Sequence, residues 1–94
     1  MSTALMVASA KGMTDMVRFL LESGASTITS TDCKWQAIHM AARGGHLEIC
    51  RLILESVQDK NPMNFNKETP LDLADKEGHE DTCQLIIGKL RKES

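Results

Sequence analysis

"QAIHMAARGGHLEICRLIL", residues Gln36 to Leu54, is the stretch from which the rest of the chain can be read. Gly44-Gly45-His46 interrupts it, and glycine reaches backbone angles that other residues resist. Apolar residues recur at helical spacing on both sides of the break: Ile38, Ala41 and Ala42 before it, Ile49, Leu52 and Ile53 after it. The small side chains of Ala41 and Ala42 let a neighbouring helix come close. Helices this short are marginal by themselves in water. The pair therefore needs a similar pair to lean on.

Two such pairs exist, at a step of 33 residues in either direction. Gly12, Gly45 and Gly78 are related by it, as are Thr3, Gln36 and Thr69; Leu5, Ile38 and Leu71; Ala8, Ala41 and Ala74; Leu20, Ile53 and Ile86. Asp15, Glu48 and Asp81 also align, each an acid in the first turn of a second helix, where it favours the positive end of the dipole. Internal repetition without a gap is the strongest signal in the chain.

The segments "ALMVASAKG", "VRFLLESGA", "HMAARGGHLEICRLIL" and "TPLDLADKEGH" resemble three successive ankyrin repeats, and the resemblance covers essentially all 94 residues. It implies an all-α repeat fold, an α-solenoid of three stacked helix-turn-helix units joined by short β-hairpin loops. A single domain over 1–94 is expected. Its repeats run approximately over 1–30, 31–63 and 64–94, the first and last cap-like.

Composition agrees. The length suits one domain that buries its core mainly between repeats. Apolar residues make up 41% of the chain but aromatics only 3%, so Ala, Leu, Ile and Met must do the packing. Eleven basic against thirteen acidic residues, a net charge of −2, give no general attraction to nucleic acid or anionic lipid. No apolar run is long enough to span a membrane, and the N-terminus lacks a secretion pattern. Three cysteines, an odd number, argue against a disulfide framework and for a reducing compartment. A cytoplasmic or nuclear location follows as the expectation.

Taken in order, Ser2 or Thr3 can cap a first helix to about Ala10, and a second runs from about Asp15 to Glu22 before Ser23-Gly24. Met6, Met13 and Met16 crowd this unit; they read as flexible filling where packing is loose, or as a sticky end surface. Phe19 falls on the core pattern and is expected to be buried. "ASTITSTDCKW" (Ala25–Trp35) lacks helical periodicity and corresponds to the first finger, with its tip near Asp32, Cys33 and Lys34. Gln36-Ala37 replaces the family's Thr-Pro helix start, so that cap should be lost here. "SVQDKNPMNFNKE" (Ser56–Glu68) lacks the Gly-Ala helix stop, Lys67 replaces the turn Gly, and Asn61-Pro62 can still force a turn. This second junction is expected to be the less regular one.

The last unit begins Thr69-Pro70, a cap followed by Pro in the first helical position. It then turns polar: Glu80 for Leu47, Thr82 for Ile49, Asp72 for His39 and Asp75 for Ala42. A terminal repeat has one uncovered face, and solubility asks for such changes. Read this way, the chain has the pattern of a complete small array.

Nothing supports catalysis. His39, His46 and His79 fall where the family pattern itself carries His, which implies helix-to-loop hydrogen bonding. His46 and His79 stand one repeat apart, too far to share a zinc ion with bonds near 2 Å. Cys50 and Cys83 sit at the inward position of Val17 and read as buried small hydrophobes, whereas Cys33 at a finger tip is an exposed thiol beside Lys34. There is no Gly-rich phosphate loop, no Cys-x-x-Cys and no serine nucleophile motif. No cofactor, metal or catalytic residue is assigned.

Function is then a matter of surface. The resemblance implies that fingers and the outer part of each first helix form a concave face that binds another protein. On this chain the positions are Lys11, Asp32, Cys33, Trp35, Arg43, Phe65, Asn66, Glu68, Lys76 and Glu77. Two of the three aromatics fall in that set beside Arg43, the composition of a binding hot spot; the alternative is that Trp35 lies flat against its own finger or the next one. The expected function is a protein-interaction module, a small regulator, inhibitor or adaptor whose partner is a protein and neither nucleic acid nor membrane. The competing expectation is an assembly subunit that stacks end-on through its Met-rich first repeat. A monomer is expected, with self-association open at that end.

Overall fold

The computed structural model describes residues 4–24, 35–57 and 61–93 of the 94-residue chain. These form six helices: α1 (Ala4–Lys11), α2 (Thr14–Glu22), α3 (Ala37–Gly44), α4 (Leu47–Ser56), α5 (Pro70–Lys76) and α6 (Glu80–Glu93). Among the described residues there is no strand. The helices pair antiparallel as α1–α2, α3–α4 and α5–α6. The first members stack in one layer, α1 on α3 on α5, and the second members in another, α2 on α4 on α6. The three-unit stack expected from the 33-residue step is the structure.

The same backbone device closes all three pairs. Gly12, Gly45 and Gly78 take φ values of 75°, 69° and 78°, left-handed angles that a side chain would strain. The next amide then donates back to the first helix: Met13 to Ala8, His46 to Ala41 and His79 to Ala74, at 2.8–3.0 Å. This wrapping bond ends a helix and redirects the chain in one step. Asp15, Glu48 and Asp81 lie in first turns, as the sequence suggested, and Glu80 joins Asp81 there.

The middle unit is buried on both sides. Ile38, Ala41, Ala42, Ile49, Cys50, Ile53 and Leu54 are at most 1% exposed. Ile53 and Ile86 belong to one cluster, with Leu20 packed against it, so the predicted row runs through the stack. At the C-terminal end Asp72, Asp75 and Glu80 are exposed. Thr82 corrects the sequence reading, being 1% exposed. It lies under the preceding unit in the place of Ile49, so polarity there has nothing to do with an open face. Phe19 corrects it in the other direction: it is 65% exposed at the opposite end. Its position packs only when a preceding unit lies against it.

Candidate functional site

Three local devices shape the side of the stack on which Trp35, Arg43 and the 64–68 turn lie. The first is at the start of α3. The Gln36 amide donates to His39 Nδ1 at 3.0 Å, so part of the cap expected to be lost is supplied from inside the helix. That bond leaves the proton on Nε2, which donates to the Pro62 carbonyl at 2.9 Å and lies 3.2 Å from that of Glu68. His39 is fully buried. It thus ties the middle unit to the second finger, the role implied for it.

The second device is the turn at 64–68. Asn64 is buried, and its Oδ1 accepts the amides of Asn66 and Glu68 at 2.9 and 3.0 Å. Lys67 donates to the Asn64 carbonyl and Asn64 to that of Glu68, the closing bonds of a tight turn. Lys67 itself has φ 63°, the left-handed angle that a glycine would adopt freely. Asn61 Oδ1 accepts the Leu71 amide at 3.3 Å, fastening the Asn61-Pro62 bend to the start of α5. The Thr69 hydroxyl caps α5 by accepting the Asp72 amide, and the Asp72 carboxylate takes the Thr69 amide in return. At this junction α4 ends at Val57 in extended rather than left-handed backbone, where the Gly-Ala stop is missing.

The third is electrostatic. The Glu68 carboxylate accepts from Asn64 Nδ2 at 3.2 Å and pairs with Lys76 Nζ at 3.4 Å. Its pKa is lowered, first by the Asn64 hydrogen bond and further by Lys76, against a smaller opposing effect of burial.

Together these hold a cleft of about 260 Å³ lined by Trp35, Arg43, Asn66, Glu68, Leu73, Lys76 and Glu77. Six of the ten residues singled out from sequence are in it. The Arg43 guanidinium lies over the Trp35 ring, 5.7 Å from its centroid, and Trp35 meets His39 at 5.8 Å with the rings tilted by 53°. Trp35 is half-buried against the core, with Arg43 across it; its own finger, 25–34, lies outside the described residues. Arg43 and Glu77 also border a second hollow of about 280 Å³ with Ala10, Met40 and Gly44. Lys11 is exposed at the end of α1, next to Ala10. Phe65 is 62% exposed at the tip of the turn, beside Asn66. Asp32 and Cys33, together with the Ser2/Thr3 cap and the rest of the first finger up to Lys34, lie outside the described residues.

Sequence reasoning missed two apolar contributors, Leu73 in the cleft and Met40 in the second hollow, which share one register position.

The remaining candidates for chemistry are structural. His46 Nε2 donates to the Ala10 carbonyl and His79 Nε2 to that of Arg43, at 3.3 and 3.0 Å. Cys50 is fully buried, and desolvation pushes its thiol up to about 12. Cys83 is partly buried and also raised, by burial and then by Asp75 and Glu80. Among the described residues no three His, Cys, Asp or Glu side chains converge as metal ligands. No helix among them is long and apolar enough to cross a membrane.

A sequence profile described as ankyrin repeats (3 copies) matches residues 5–93. No match is found among curated proteins. Among solved structures, the human ASB11 ankyrin repeat domain superposes with a TM-score of 0.90 at 23% identity, over 94% of this chain and 40% of that one. The likeness is one of fold, and the chain spans well under half the length of that domain.

Proposed function

The chain belongs to the ankyrin-repeat family, and from that premise we propose that it is a non-catalytic module that holds a partner protein on its concave side. Ankyrin repeats generally mediate protein–protein interaction. The observation that carries the reading here is the joining of Trp35, Arg43, Asn66, Glu68, Lys76 and Glu77 around one cleft. A large aromatic held in place by its neighbours loses little freedom on binding, which favours it as an anchor. Two cations and two anions border it, so the matching partner is a polypeptide of mixed polarity and not a polyanion. Lys11, Phe65, Asp32 and Cys33 complete the proposed binding face. The repeats divide near 30 and 63, the chain acts as a small regulator, inhibitor or adaptor, and it works in the cytoplasm or nucleus without a cofactor.

The test is affinity capture from cell lysate with mass spectrometry, comparing the parent with Trp35→Ala and Arg43→Glu. Both variants should keep the helical circular-dichroism signal and lose a shared set of captured proteins at least tenfold. Equal capture by parent and variants would remove the concave side from consideration. Salt-sensitive binding to random DNA would redirect the assignment to nucleic acid.

A second reading, assembly through the end of the first unit, is favoured by a different observation. Val7, Met13, Met16 and Phe19 are all exposed there, at 44%, 45%, 43% and 65%.

A further inference from the structure

His39 is joined to both walls of the cleft. Its Nδ1 accepts the Gln36 amide at the start of α3, and its ring meets that of Trp35. Its Nε2 proton points to the Pro62 and Glu68 carbonyls of the second finger. The arrangement fits the neutral ring alone. A second proton, on Nδ1, would aim a donor at the Gln36 N–H, itself a donor, and would put a cation in a fully buried site. Among the described residues, little offsets such a charge. The helices α1, α4 and α5 pack against α3, and their buried positions carry no acid. The Cys50 thiol, pushed up to about 12, stays neutral. Glu68 directs its carboxylate to Asn64 and Lys76, Asp72 directs its own to the Thr69 amide, and Glu48, Asp75 and Glu77 are exposed. The Trp35 ring would welcome a cation, but Arg43 already lies over it. The other cations on these helices, Lys11, Arg51 and Lys76, are exposed and oppose a further positive charge.

We propose that His39 is an acid-sensitive latch: on taking up a proton it leaves its site and frees the start of α3 and the second finger together, while the helical stack stays folded. A ring released to water takes its second proton near about pH 6.5, and the latched ring does not. The latched form therefore keeps its full stability above that pH and loses it as the pH falls below, the opening equilibrium growing about tenfold per unit. His46 and His79 differ. Each makes one ring bond, from Nε2, at an exposed site, so a second proton has water to meet it. Carboxylates take up their protons near about pH 4, which leaves the window between about pH 7 and about pH 5 to histidine. Trp35 stands on one freed segment, and Asn66 and Glu68 stand on the other, so opening the latch takes the cleft apart. The consequence for a bound partner rests on the interaction reading above; the latch itself does not.

Amide hydrogen exchange of the 1–94 chain alone, read by NMR at about pH 7 and about pH 5, tests this. The Gln36 amide reports the latch, because its proton is the one that Nδ1 accepts. The His46 and His79 amides, which close the turns of the stack, report the remainder. After correction for intrinsic exchange, protection of Gln36 should fall about twentyfold from the higher pH to the lower, while the other two hold. His39→Gln, which keeps a donor and an acceptor but takes up no proton, should abolish the difference. Equal protection of Gln36 at both pH values would overturn the latch. A fall shared by all three amides would overturn local release in favour of general acid unfolding. A fall that persists in His39→Gln would overturn His39 as the sensor, and the three amides of the parent decide if that variant fails to fold. No partner enters the measurement, so failure of the latch leaves the interaction reading standing.

Discussion

Ser9 shows what a single side chain reveals once its surroundings are known. It stands in the register of Ala42, is fully buried, and its hydroxyl has no hydrogen-bond partner among the described residues. A buried hydroxyl left in that state costs about 1 kcal/mol or more, and Ala is the better helix former. Ser9→Ala is therefore expected to raise stability by about 1 kcal/mol in urea denaturation; a drop in midpoint would mean the hydroxyl has a partner in solution. Phe19 and Thr82 carry the complementary lesson. Both sit at positions that face the preceding unit. Thr82 has that unit and is buried; Phe19 has no unit against it among the described residues and is exposed. Hydrophobicity alone gave the wrong answer for each, because burial in a stack depends on which neighbour is present.

At the level of elements, the helices were readable because each obeys a local rule. Glycine at 12, 45 and 78 ends the first helix of each pair, acids open the second, and Thr69-Pro70 starts α5. The second finger was legible only in outline. Its bend at Asn61-Pro62 was expected, and a helix-to-loop bond from His39 was implied by the resemblance, but the burial of Asn64 to hold two amides was not. That is the geometry of an irregular turn, which no periodicity announces. Lys67 pays a steric penalty of about 1–2 kcal/mol at its left-handed angle. Lys67→Gly should relieve it, and the gain, reduced by the extra freedom of the unfolded chain, is expected at up to ~1 kcal/mol. An unchanged thermal midpoint would show that the turn is not strained.

Across the whole molecule, stability is concentrated in the middle unit, which has neighbours on both sides. Ile53 is fully buried between Leu20 and Ile86 in the stacked row. Ile53→Ala should cost about 2–5 kcal/mol, a large share of the ~5–15 kcal/mol that holds a domain together. Leu20→Ala, at a partly buried end, should cost clearly less, and urea titrations that rank the two in the reverse order would contradict the stacking account. The sequence by itself determined the number of units, their register and the turn between each pair, because those follow from periodicity and from backbone angles that few residues adopt. The tertiary structure alone decided which residues meet in the cleft, which buried polar atoms bridge the units, and which apolar face stays open. Those depend on what lies across the gap in space, and a step of 33 residues along the chain does not record it.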